Sequence, residues 1–232
     1  MADSVRVLDP TRAAGTAAAP GRIAEPWVLG LYAMAAATFV VGAHIAGWYG
    51  GPQSAWALVP FAALLGGLAQ FVAAMWAYRV GESLATAMLG TWGAFWMAYA
   101  ILTAVVASGR LPAPTGAFPE LAFWFIALAA ITWMGAVAAF RSSGALGAVF
   151  GTLGAAATIA VFGEGFGIAA LTVLAGWLLV VAAICGWYAA TAMLFEDSFG
   201  REVLPLGARP AVEGGLGAPG PMREAPAAQH AR

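Results

Sequence analysis

Of the 232 residues, 62% are apolar and 9% charged, a balance that leaves too little polar surface to cover a water-soluble globule of this length. A formal net charge of −1 excludes a broad nucleic-acid-binding face. The one cysteine, Cys185, lies within an apolar run, which excludes an intrachain disulfide and a cysteine-ligated metal site.

Residues 1–24 are rich in Ala, Pro and Gly with scattered charge and few large apolar side chains, so a disordered cytoplasmic tail is expected there. A bilayer core of about 30 Å takes about 20 helical residues to cross. Apolar runs of that size, uncharged except for Glu120 at the start of the fourth, fall at 27–49, 56–78, 84–107, 119–140, 145–163 and 168–195. The first is too long for the core of a cleavable signal peptide and is expected to stay as a helix. None of the runs alternates strictly, and backbone groups in lipid must be satisfied within each segment, so helices are favoured over barrel strands. A second tail of the same character covers 208–232, leaving 25–207 as the membrane domain.

The charges Arg79, Glu82, Arg110, Arg141 and Glu164 fall between these runs, and Glu120 stands at the start of the fourth, so none is mid-span. All ten basic residues are arginine. With the N-terminus inside, Arg110 alone lies outside, and cytoplasmic retention of Arg sets that orientation. The expected fold is therefore all-α, a polytopic bundle of six transmembrane helices with both termini cytoplasmic, in a cell's inner membrane. Trp27, Trp48, Trp56, Trp76 and Trp124 sit near run ends, where indoles anchor at the headgroups. Small-residue stripes on the second run (Ala62, Gly66, Ala69, Ala73) and the fifth (Gly147, Gly151, Gly154, Ala155) are expected at helix contacts.

Chemistry inside the runs rests on few residues: Thr38, His44, Gln70, Thr86, Thr91, Tyr99, Thr132, Tyr188 and Thr191. His44 is the one among them that titrates near neutral pH, and it stands about one turn from the outer end. Gln70 is mid-span, where an amide needs a partner, so it either joins two helices or lines a wet cavity. No run holds an Asp or Glu at mid-span for a buried proton relay, nor an Arg to clamp a dicarboxylate. Such a pathway suits a small, weakly acidic solute that crosses partly neutralised. Catalytic clusters, phosphate loops and metal spacings are absent from the sequence, so neither an enzyme nor a cofactor is expected.

Motifs spread from Glu25 to Gly207 resemble the acetate uptake transporters, also called the YaaH or succinate-acetate permease family. The family's opening Asn-Pro-Ala-Pro-Leu-Gly-Leu corresponds to Glu25-Pro26-Trp27-Val28-Leu29-Gly30-Leu31, and its outer first-helix His to His44, followed by Gly47. Gly-Gly-x-x-Gln corresponds to Gly66, Gly67 and Gln70, followed by Tyr78-Arg79 and Gly81. The family's Tyr-Gly-Ser-Phe-Trp is similar to Trp92-Gly93-Ala94-Phe95-Trp96. Ala175-Gly176-Trp177, Tyr188 and Phe199-Gly200-Arg201-Glu202-Val203-Leu204-Pro205 match the sixth helix and its closing motif.

The resemblance implies acetate transport, by proton symport or channel-like conduction, through each protomer of a ring, commonly a hexamer. It also implies a narrow waist formed by Met34 and Trp92, where the family has an aromatic and a Tyr. The expected substrate pathway is Met34, Thr38, His44, Gln70, Thr91 and Trp92, with Glu25 and Leu29 at the cytoplasmic entrance. Two other readings stay open: a non-transporting assembly or sensor subunit, and a channel for another small weakly acidic or neutral solute.

Overall fold

The computed structural model describes residues 24–51 and 53–207; apart from Ala24, the two expected tails lie outside the described residues. Among the described residues, six helices are long and apolar enough to cross a membrane: α1 Pro26–Ile45, α2 Ser54–Val80, α3 Ser83–Ala107, α4 Pro119–Ser142, α5 Gly144–Phe166 and α6 Ala169–Phe199. Local chemistry sets their ends. Pro26 occupies the first turn of α1, where a missing N–H costs nothing, and the Glu25 carboxylate accepts the Trp27 N–H at 3.3 Å. Ser143 caps α5 by accepting the Leu146 N–H at 3.3 Å. At the other end of α5, Gly163 does not stop the helix. The stop comes at Gly167, whose φ of +66° only glycine adopts without strain.

That late stop revises the reading of the charges. Glu164, expected between spans, lies within the last turn of α5. The first span differs in the opposite sense: α1 ends at Ile45, so Trp48 and Tyr49 belong to the following turn.

The second helix is not uniform. An α-helical opening, Ser54–Phe61, contains Pro60, and a π-helical stretch, Ala62–Ala69, follows before α-helix resumes at Gln70–Val80. Proline supplies no N–H to the ladder, and the wider turn after it re-aims the side chains that follow. Gln70, the first residue after the π-stretch, is fully buried.

Each helix packs on its neighbours in sequence, and α6 returns to α1, closing a ring; α2 on α3 and α4 on α5 are the broadest contacts. The faces follow from side-chain size. On α4, Ala122, Ala129, Gly135, Ala136 and Ala139 point inward while Phe123, Ile126, Met134 and Val137 are exposed, as expected for lipid-facing positions. The closest crossing is between α1 and α6. A Cβ on Gly176 would stand 2.5 Å from the Ala46 nitrogen, and one on Gly42 would stand 3.0 Å from the Gly176 carbonyl oxygen. Only two glycines let these backbones touch.

Beyond α6 the chain doubles back. The Tyr188 hydroxyl donates to the Pro205 carbonyl at 2.8 Å, the Ser143 hydroxyl donates to the Leu206 carbonyl at 2.8 Å, and the Gly144 N–H donates to the Gly207 carbonyl at 3.1 Å. The closing motif is thus a strap that ties α6 to the α4–α5 junction.

Candidate solute pathway

The ring encloses a cavity of about 30 Å³ in the half away from the chain termini. Five helices line it: Ile45 from α1, Trp92 from α3, Phe125 from α4, Ala156, Ala157, Ala160 and Glu164 from α5, and Thr172, Ala175 and Leu179 from α6. At roughly 10–15 Å³ per water on this measure, it has room for about two waters and suits only a small solute. Above it, a more open vestibule of about 230 Å³ is lined by Ala55, Tyr99, Thr103, Pro114, Phe118 and Glu164, among others. Glu164 borders both spaces.

Trp92 is the floor of the cavity. Its ring is 1% exposed, and its indole N–H donates to the Thr132 hydroxyl at 3.1 Å, which in turn donates to the Leu128 carbonyl at 2.6 Å. This fixed relay between α3 and α4 holds the indole across the axis. Below it, Leu31, Met34, Leu89, Phe150 and Leu153 are all buried, so this conformation is closed toward the termini. Met34 packs toward α6, its methyl group beside Gly186.

An aromatic column runs along α3: Trp92 to Trp96 at 6.4 Å between ring centroids, Trp92 to Phe95 at 5.4 Å, and Trp96 to Tyr99 at 5.8 Å, with Phe125 of α4 at 5.7 Å from Phe95. Trp96 carries the column to α2, where a Cβ on Gly66 would touch both Trp96 and Ala37. One turn beyond Gly66 stands Gln70, and one residue beyond Ala37 stands Thr38. Both are fully buried, yet neither polar atom of the Gln70 amide, nor the Thr38 hydroxyl, nor the Trp96 indole N–H has a hydrogen-bond partner among the described residues. Leaving such groups unsatisfied costs about 1–3 kcal/mol each, so this cluster is built for a polar guest or is a reservoir of strain.

Met34 and Trp92 share one hydrophobic core, Thr38 and Gln70 are fully buried, and Thr91 is half-buried next to Trp92 in the chain. The structure places His44 apart from them, at the rim. The His44 Nδ1 donates to the Tyr49 carbonyl at 3.2 Å, and the two rings lie 5.4 Å apart. Tyr49 in turn donates to the Val40 carbonyl at 2.7 Å, and burial pushes its phenol above the ordinary value. Glu25 is exposed and engaged in capping α1, and Leu29 is 39% exposed. Thr132, already among the polar residues of the runs, Trp96 and Glu164 are functional candidates outside the expected pathway. The i, i+4 spacing of Trp92 and Trp96 is a sequence signal for the second; the signal for Glu164 is its place three residues before the helix-ending Gly167.

The sequence profile described as the GPR1/FUN34/yaaH family matches residues 9–205. The succinate-acetate/proton symporter SatP of Escherichia coli strain K12 is 25% identical over 188 residues, covering 80% of this chain and 96% of that protein. An uncharacterized protein of Methanothermobacter thermautotrophicus is 25% identical over 193 residues, covering 79% and 91%. The solved structure of the bacterial acetate channel SatP superposes with a TM-score of 0.73 at 23% identity, over 80% of this chain and all of the other. The same six-helix membrane fold is shared, and the chain belongs to the GPR1/FUN34/yaaH family.

Proposed function

We propose that this protein moves acetate or a similar small monocarboxylate across a cell's inner membrane, through the ring of each protomer. One observation carries the reading: Gln70, Thr38 and Trp96 present buried hydrogen-bonding groups that none of the described residues satisfies, beside an aromatic column that ends in a small cavity. An amide offers both donor and acceptor, and a hydroxyl and an indole N–H add donors, which is the complement of a carboxyl group. Apolar and aromatic walls favour a solute crossing partly neutralised. Relatives named as a succinate-acetate/proton symporter and as an acetate channel support the same substrate class.

On this reading Met34 and Trp92 form the waist, Thr38, Gln70 and Thr91 contact the passing carboxyl group, and His44 stands at the outer rim. Glu25 and Leu29 flank the cytoplasmic entrance. The termini are cytoplasmic, and protomers assemble as a homo-oligomer, a hexamer in keeping with the family. Purified protein in liposomes tests the proposal directly: labelled acetate enters protein-containing vesicles faster than empty ones, and an inward proton gradient concentrates it if protons are carried along. Equal rates in the two kinds of vesicle would leave a non-transporting membrane subunit as the better account. Competition by formate, propionate and succinate then ranks the solutes.

A further inference from the structure

The outer cavity and the vestibule share one charged residue. Glu164 lines the enclosed space above Trp92 and also the open space beside Tyr99 and Phe118, so a solute moving between the two passes its carboxyl group. The rest of the enclosed cavity wall is alanine, aromatic and aliphatic, with the Thr172 hydroxyl as its other polar side-chain group outside Trp92. The backbone at this point is held: the Glu164 carbonyl accepts the Phe118 N–H at 2.6 Å, and Gly165 packs against Ala122. That bond pins the α3–α4 loop beside the vestibule and holds the backbone from which the carboxylate extends.

We propose that Glu164 is the charge gate of the outer mouth. In walls of this polarity, two carboxylates in contact cannot both stay ionised. One proton shared between Glu164 and the entering carboxylate turns repulsion into a short O–H···O⁻ hydrogen bond and leaves one negative charge between them. The solute then leaves toward Trp92 as the neutral acid with that proton, or as the anion while Glu164 keeps it. Thr172, within hydrogen-bonding reach of Glu164 from α6, orients the carboxyl group. Tyr99 of α3 lies within electrostatic reach and is the other titratable group on the vestibule wall. Arg110 on the α3–α4 loop and Glu120 at the start of α4 are exposed and line neither space.

This gate rests on the transport reading above, and equilibrium exchange of labelled acetate separates the two. Proteoliposomes of wild type, Glu164→Gln and Glu164→Asp are held at equal pH on both faces, so no gradient drives the exchange, and pH is stepped from 5 to about 8. Wild-type exchange should fall by about tenfold or more across the range. Glu164→Gln, which keeps the shape without the charge, should hold its rate several-fold above wild type at the alkaline end, and Glu164→Asp should keep the wild-type profile. Parallel profiles for wild type and Glu164→Gln would overturn the gate while leaving transport intact. No exchange by wild type at any pH would overturn both.

Discussion

The two halves of the bundle solve opposite packing problems. Away from the termini, α1 and α6 meet backbone to backbone at Gly42 and Gly176, and the ring they help close keeps a cavity with Glu164 and Thr172 on its wall. Toward the termini, large side chains do the filling: Leu31, Met34, Leu89, Phe150 and Leu153 are buried, and the Tyr188–Pro205 and Ser143–Leu206 hydrogen bonds strap the end shut. A rigid, glycine-tight frame can hold a hole open, whereas a core of flexible side chains can close one and reopen by rotamer change. The comparison teaches where motion is needed for a solute to pass: below Trp92, not above it.

The frame is the place where the contrast breaks most severely. Gly176→Val puts branched carbon on the Ala46 nitrogen, and no rotamer relieves a clash with backbone. A loss of about 3 kcal/mol, at the upper end of overpacking effects, is expected as a lowered thermal midpoint in detergent. Phe162→Val, on an exposed position of α5, serves as the control that should leave the midpoint within about 0.5 kcal/mol of wild type.

The boundary between the halves is tested next. Trp92→Phe removes the hydrogen bond to Thr132 and part of the floor, with a stability cost of about 1–2 kcal/mol. Because a methylene-sized change of fit is worth about tenfold in discrimination, propionate flux should rise relative to acetate by about that factor. An unchanged ratio would place the selective constriction elsewhere.

Much of this was legible in the sequence because lipid leaves few choices. Apolar runs of sufficient length located all six helices, and the small-residue stripes fell at contacts: Gly147 and Gly151 against Phe140, Gly154 against Trp133, Gly66 against Trp96 and Ala37. What escaped lies where geometry departs from the α-helical repeat or depends on distant partners. The π-stretch after Pro60, which ends at the buried Gln70, leaves no trace in a hydropathy run. A glycine at 163 read as an ending, but the helix continues to a glycine that takes positive φ, and Glu164 enters the wall of the cavity with it. The closing motif gave no hint that it folds back onto Tyr188, since a hydrogen bond across 17 residues has no local signal.

Gln70 then separates stability from transport. Its amide is fully buried without a partner among the described residues, so Gln70→Leu, close in volume, should stabilise the fold by about 1 kcal/mol or more. If Gln70 meets the solute, the same change should slow acetate flux by about tenfold, the value of one hydrogen bond to a charged group. Slower flux in a more stable protein would mark the residue as kept for function at a cost to the fold, and faster or equal flux would return it to a packing role.

The smallest effect belongs to the rim. His44 is part-exposed and bonds the loop through one nitrogen, so His44→Gln, which can keep a donor toward the Tyr49 carbonyl, should change stability by no more than about 0.5 kcal/mol. Its value lies in what it does to pH dependence. A gate made by Glu164 alone keeps the same alkaline fall in flux when His44 is replaced, because the cavity and vestibule bordered by Glu164 are lined by other residues. A profile flattened by His44→Gln would instead move the titrating step outward, from the wall of the cavity to the turn after α1, and the sealed frame would begin one turn lower than the glycine crossing suggests.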